Sequence, residues 1–447
     1  MYAPVASPVA DTLTVTGNAT GFTGLTITDR GGLGNRTTGN GIPVVIVNGT
    51  STSNAFALNQ RVAAGAYEYQ LLKGGASGSG NTWYLTTQTP AGTPAPTPTP
   101  SPTPSPTPAP TPPVVVSPQI TPEVGERIEV AVYPAMPSLV QLYAQTAVDT
   151  LDQRRGDLNL VDPQGGANKK SNDWARIIGK TGTSTPSSVN DGPKMNFNAY
   201  ALQLGVDVYQ NEEQGGSRSY VGPYVTIGSA NANTSSQTGG ISTGSINGMQ
   251  AYSLGLYGTH FAANGLYVDA LAQGTRYLNA GAGSVQGAQL RTQGSGFTGS
   301  LEGGGRWNFD KFLISPQAQV VYDAIGMNNA TDAYGQVNFN KSEMTRGRLG
   351  LLAGHKDVVG STPIFAYLRA SYWSVFNAGT STTMASLYGV NPITFQSQAN
   401  SRWMTVDAEL NARITKDTNL FLNLAVDNSL VGTYQAYSGR VGLQTRF

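Results

Sequence analysis

The chain has 447 residues, room for two or three domains, and a formal net charge of +1 that argues for neither a nucleic-acid nor an acidic partner. It contains no cysteine, which excludes disulfides, thiol nucleophiles and cysteine-ligated metal. The 55 glycines and 21 tyrosines suit many closely packed strands with interfacial rings, and no continuous apolar run resembles a membrane helix.

Met1 to Ala10 have neither a basic n-region nor an apolar h-region. Residues 10 to 88 are rich in Thr, Gly and Val. Leu13, Val15, Leu25 and Ile27, then Val44 to Val47, read as brief strands between Asn-Gly, Gly-Asn and Gly-Gly turns. Tyr67 to Leu71 alternates again, and Trp83-Tyr84-Leu85 ends the block. Two folds fit this pattern: the last rungs of a parallel β-helix with an atypical terminal cap, or a small β-sandwich.

Residues 90 to 118 follow as a linker, dominated by Thr-Pro and Ser-Pro repeats. Proline removes donors and locks φ, so an extended, semi-rigid spacer is expected. Within residues 119 to 170, a helix is predicted over about 134 to 155. Leu139, Leu142, Tyr143, Ala147 and Leu151 recur at spacings of three and four, while Gln141, Gln145, Thr146, Asp149, Thr150 and Gln153 make the rest polar without much charge. Arg154 and Arg155 complement the helix dipole near its end, and Gly156 is a natural stop. The helix is too polar to span lipid alone. A protein surface, a short bundle or a polar lumen would each accommodate it, and the strand that follows favours the lumen.

From residue 171 to 447, apolar residues return at every second position for roughly ten residues at a time. Met404, Val406, Ala408, Leu410, Ala412 and Ile414 share one parity, and Thr405, Asp407, Glu409, Asn411 and Arg413 the other. One face is apolar with rings near its ends, and the other carries charge and glycine. This predicts an all-β, 12-stranded antiparallel transmembrane β-barrel with lipid outside and a polar lumen holding an α-helix. A mean hydropathy of -0.21 is compatible with that, because a barrel uses only alternate residues. Strands are predicted from Trp174-Lys180 through Tyr437-Phe447, with long polar loops at Asn231-Met249, Asn279-Ser295 and Asn377-Gln398. Short turns are predicted at Ala262-Asn264, Asp310 and Lys416-Asp417.

Asp269, Glu302, Arg306, Arg346, Arg348, Arg369, Asp407 and Glu409 fall on polar faces and are the lumen-facing candidates. They could hold an enclosed helix, or merely hydrate the interior and pair with one another. Tyr437, Val441, Leu443 and Phe447 share one parity of the last strand, an edge able to template assembly.

Several stretches in order resemble the translocation unit of monomeric autotransporters, the type V secretion proteins of Gram-negative bacteria. Ala64 to Tyr69 with Trp83-Tyr84-Leu85 resembles the end of a pertactin-like passenger and its autochaperone region. Tyr133 to Pro137 leading to Leu151, Asp152, Gln153, Arg154, Arg155 and Gly156 resembles the pore-helix segment. Trp174-Ala175-Arg176, Arg346 to Gly350 and the terminal Phe447 resemble the first strand, a mid-barrel signature and the assembly signal. The resemblance implies a β-helix-like passenger remnant over 1 to 89. It further implies outer-membrane insertion with help from periplasmic chaperones and the barrel assembly machinery, and delivery of the passenger to the cell surface, with adhesion as the passenger's expected role. The helix then remains as a plug, and a monomer is expected. Some relatives cut the helix between paired asparagines, and Ser138 to Arg155 holds no such pair. Because an outer-membrane protein must first cross the inner membrane, the chain is expected to be a fragment lacking its signal peptide and upstream sequence.

No H-E-x-x-H motif, P-loop or calcium loop occurs, so neither an enzyme nor a cofactor is expected. The alternative is a porin-like diffusion channel with a periplasmic amino-terminal module, which needs an open lumen. A soluble β-rich adhesin would instead bury the apolar faces against each other.

Overall fold

A computed structural model describes residues 10–88, 125–156, 172–185, 193–213, 216–236, 240–397, 402–430 and 434–446. The predicted linker and Phe447 lie outside them. The chain divides into two compact units, Met1–Ile128 with Ala385–Pro392, and Glu129–Met384 with Ile393–Phe447.

The amino-terminal unit carries β1 (Leu13–Val15), β2 (Thr23–Leu25), β3 (Ile42–Val47), β4 (Phe56–Leu58), β5 (Val62–Ala64), β6 (Tyr67–Lys73) and β7 (Trp83–Thr86). Parallel ladders pair Leu13 with Val45, Ala19 with Ser51 and Thr23 with Phe56, a nearly constant offset. That is one rung stacked on the next, so the β-helix alternative holds and the sandwich does not. Beyond the last rung, β7 lies between β3 and β6 in an antiparallel sheet that caps the open end. Val45, Phe56, Trp83 and Leu85 fill its core, and Tyr69 donates from its hydroxyl to the Asn35 carbonyl at 2.7 Å. Burial raises that hydroxyl above its ordinary pKa.

In the second unit, the helical segment comes first, as α1 (Ala135–Ala147) and α2 (Leu151–Arg155). The barrel strands begin with β8 (Asn172–Ser184), β9 (Lys194–Val206), β10 (Tyr209–Glu212), β11 (Arg218–Ser235), β12 (Ser242–Phe261) and β13 (Leu266–Ser284). Next come β14 (Gln289–Gly305), β15 (Trp307–Phe309), β16 (Phe312–Met327), β17 (Ala330–Thr331), β18 (Gln336–Phe339) and β19 (Ser342–Val359). Last are β20 (Thr362–Ala385), β21 (Ile393–Ser397), β22 (Arg402–Arg413), β23 (Thr418–Ser429) and β24 (Tyr434–Arg446). Consecutive long strands pair antiparallel, and β24 returns to pair with β8, closing a barrel of 12 strands. β10 and β15 continue neighbouring strands past an irregularity, and β17, β18 and β21 extend one rim.

The alternation sorts the side chains as the period of two requires. Val406, Leu410, Leu422, Leu424 and Leu254 point outward and are exposed, whereas Asp407, Glu409 and Asn423 point inward and are buried. The outer face is the apolar band a bilayer solvates, rimmed by rings such as Trp307, Phe309, Phe312 and Phe376. Rings also turn inward, among them Trp174, Tyr257, Tyr367 and Trp403.

Two expectations need correction. The predicted long loops are largely strand: β11 runs to Ser235, β13 to Ser284 and β20 to Ala385. Above the lipid, neither face needs to be apolar, so the alternation fades while the backbone ladder continues. β-bulges between Ala230 and Ala232 and between Tyr277 and Ala280 mark that change. The predicted continuous helix is also broken, since Val148 is extended and the chain restarts at Thr150.

Candidate functional site: the occupied lumen

The helical segment lies inside the barrel, and its two halves meet the wall through different chemistry. α1 begins after Pro134, with Pro137 in the first turn where a missing N–H costs little. It is buried almost all round, yet its polar residues find partners: Gln141 donates to Ser342 Oγ at 2.5 Å, and Ser138 lies 3.3 Å from Ser397 Oγ. Tyr143 packs edge-on against Tyr277 at 6.2 Å, over Gly228, where any Cβ would collide with its ring and hydroxyl. Before α1, Tyr133 donates to Asp332 Oδ2 at 2.8 Å and Ser284 donates to Glu129, so two rim segments hold the entering chain. Gln203 Nε2 donates to the Ala147 carbonyl at 2.8 Å, supplying a partner to a carbonyl that the end of α1 leaves open.

The break at Val148 to Thr150 turns the segment into a charged region. Thr150 caps α2 in a capping box with Gln153. The Leu151 N–H donates to Glu302 Oε2 at 3.2 Å, placing a carboxylate at the positive end of the helix. Asp152 pairs with Arg306, accepts from Gln317 Nε2 at 2.9 Å and lies 3.5 Å from Arg369. Arg154 grips Asp269 through two bonds of 2.9 and 2.6 Å, with its guanidinium 4.8 Å from the Tyr257 ring centre. Gly156 ends α2 at φ +62, and a Cβ there would sit 2.8 Å from Phe421 Cδ1, so both backbone and space call for glycine. Arg155 closes α2 in sequence, and its side chain is outside the described residues.

All eight lumen-facing candidates are buried inside the barrel. Asp269, Glu302, Arg306 and Arg369 touch the helical segment directly, Arg369 also through Thr150 Oγ1 at 2.9 Å. The others engage the wall. Arg346 pairs with Asp323, Arg348 donates to Gln317 and Gln319, and Asp407 receives two bonds from Arg369. Glu409 accepts from Tyr367 at 2.7 Å and Asn411 at 2.8 Å. Tyr437, Val441 and Leu443 face outward from the last strand.

Sequence reasoning missed Asp149. It lies in the break and accepts from Arg440 Nε at 2.7 Å, Arg440 Nη2 at 2.8 Å and Arg176 Nη1 at 3.0 Å. A signal was available, because Arg176 and Arg440 sit on the polar parities of the first and last strands and Asp149 stands three residues before Asp152.

Chemically, the site can hold a chain in place and fill the pore. Among the described residues, no group of His, Asp and Glu could hold a metal ion.

Comparison with known proteins bears on this arrangement. The family model described as Autotransporter beta-domain matches residues 174–425, and the model described as Autochaperone Domain Type 1 matches residues 4–71. The uncharacterized protein YuaQ of Escherichia coli (strain K12) is 32% identical over 334 residues, covering 71% of this chain and 22% of YuaQ. The autotransporter adhesin AIDA-I of Escherichia coli is 27% identical over 336 residues, covering 70% of this chain and 22% of the adhesin. This chain therefore spans about a fifth of the length of either relative. The crystal structure of the AIDA-I transport unit superposes with a TM-score of 0.56 at 18% identity, covering 72% of this chain and 99% of that one.

Proposed function

Because the chain belongs to the autotransporter family and its barrel is an outer-membrane translocator domain, we propose that it supports export and surface display of its own amino-terminal passenger. The helical segment plugs the lumen once the passenger is outside. The observation that carries the reading is that the break and α2 place Asp149, Asp152 and Arg154 against charged partners on β8, β13, β20 and β24. A diffusion channel has no use for a segment held from several sides of its bore. The stacked rungs and their cap form an autochaperone module on which an upstream passenger would fold.

The passenger's adhesive role follows the named adhesin relative and is part of the same proposal. So are insertion by the barrel assembly machinery, periplasmic chaperoning, a monomeric barrel and the lack of a catalytic step.

An epitope inserted after Ala10, in a chain exported with a signal peptide, tests display. Protease added to intact cells is expected to remove the tag while a fragment running from about α1 to the carboxy end survives. A tag protected until the outer membrane is opened would contradict display and favour a porin-like barrel with a periplasmic module.

A further inference from the structure

We propose that Asp149 is a latch on the closing seam of the barrel, a positioning residue that couples arrival of the helical segment to pairing of the first and last strands. The barrel closes where β24 pairs with β8, from Tyr434 opposite Ser184 to Arg446 opposite Asn172. Each side of that seam sends a buried arginine into the lumen, Arg176 from β8 and Arg440 from β24, and β24 buries a second, Arg446, at its last position. One carboxylate takes both. Arg440 donates to Oδ1 at 2.8 Å and to Oδ2 at 2.7 Å, while Arg176 donates to Oδ2 at 3.0 Å.

Among the described residues, the arginines' other hydrogen-bond partners are neutral, and the further acids that act on Arg440, Asp407 and Asp427, do so without a hydrogen bond to it. Arg176 donates to Gln203 Oε1 at 2.7 Å and to the Gln153 carbonyl at 2.5 Å, and Arg440 to Asn423 Oδ1 at 3.1 Å and Ser438 Oγ at 3.0 Å. Another seam cation, Lys180 of β8, has its own acid in Asp427 of β23 at 2.7 Å. Without Asp149, zipping β8 onto β24 therefore brings two like charges together in a water-poor interior with no acid between them, which opposes closure. With Asp149 in place the same two charges favour it. The carboxylate reaches both only because the helix breaks at Val148 to Thr150, so the latch engages at a single axial register of the segment. The ion pairs of α2 lie elsewhere: Arg306 follows β14, Arg369 is on β20 and Asp269 on β13.

The inference rests on the plug reading, and its test separates the two. Thr183 and Gln435 face each other across the seam near one rim and are both exposed, and the chain has no native cysteine. With T183C and Q435C installed in the full chain, disulfide formation after a pulse of synthesis reports seam closure, because directly opposed strand residues satisfy disulfide geometry. Asp149→Asn is expected to slow that bond by about tenfold or more, the size of effect that loss of a close charge pair produces. Asp152→Asn, which removes a plug charge away from the seam, is expected to slow it far less. Adding Arg440→Gln to Asp149→Asn removes the repulsion and is expected to restore both rate and yield, even if the single variant fails to accumulate. A parental rate in Asp149→Asn, equal slowing in the two acid variants, or no rescue by Arg440→Gln would overturn the latch. Uptake of a bulky hydrophilic antibiotic by the same cells reads the plug separately. Leak with a parental seam rate sinks the latch and leaves the plug, whereas a slowed, rescuable seam without leak in either acid variant leaves the latch and counts against the plug.

Discussion

Arg154→Glu is expected to free α2 from the barrel wall and open the pore. Arg154 and Asp269 form a two-bond pair whose side chains are 2% and 4% exposed, and Thr259 Oγ1 also donates to Asp269 Oδ1 at 2.6 Å. Reversal sets two carboxylates face to face where the guanidinium lay. Breaking a buried pair costs about 3–5 kcal/mol, because the remaining charge stays without compensation, and a like charge adds to that. Such a loss shifts the bound segment towards release by roughly two to four orders of magnitude. Cells producing the variant should become sensitive to bulky hydrophilic antibiotics, and purified barrels should be cut by protease within residues 134 to 155. Adding Asp269→Arg re-forms the pair with the charges exchanged and should reverse most of both effects. A variant as resistant and as protected as its parent would show that this pair does not retain the segment.

Trp83→Ala is expected to unfold the cap of the rungs while leaving the barrel intact. Trp83 is 3% exposed, packs edge-on against Phe56 at 5.6 Å and donates from Nε1 to Ser51 Oγ at 2.9 Å. It sits on β7, the central strand of the capping sheet. Truncating a buried tryptophan costs about 3–5 kcal/mol, a large share of the stability of so small a unit. Protease on intact cells should then digest residues 10 to 88, which are expected to resist in the parent, while the barrel keeps its heat-modifiable migration. Trp83→Phe, which keeps most of the packing and loses about 1 kcal/mol with the indole bond, should remain largely resistant. Equal resistance of Trp83→Ala and the parent would contradict a cap centred on this residue.

What could be read in the chain was what a period of two records. Val406 and Leu410 face out while Asp407 and Glu409 face in, as the parity between Met404 and Ile414 predicts. The short turn at Asp310, with φ +55, was likewise legible, since a tight turn between two alternating segments leaves little choice. Strand ends were not, because residues such as Thr234 or Gly281 sit on ladders that continue where no apolar face is needed. The rungs stayed ambiguous for a different reason. A parallel partner such as Val45 for Leu13 lies a full rung away, and no repeated motif marks the distance. Asp149 was hidden most deeply, because its meaning depends on the two chain ends of the barrel meeting, a pairing that local pattern does not contain.

Single-channel recording of the purified full chain in planar bilayers tests the central claim most directly. The account predicts a lumen that is closed at rest, with at most brief, small openings, and a large steady conductance only once contacts such as Arg154 with Asp269 are broken. A parent protein that conducts steadily, with a conductance unchanged by Arg154→Glu, would contradict the plug and return the barrel to the porin reading.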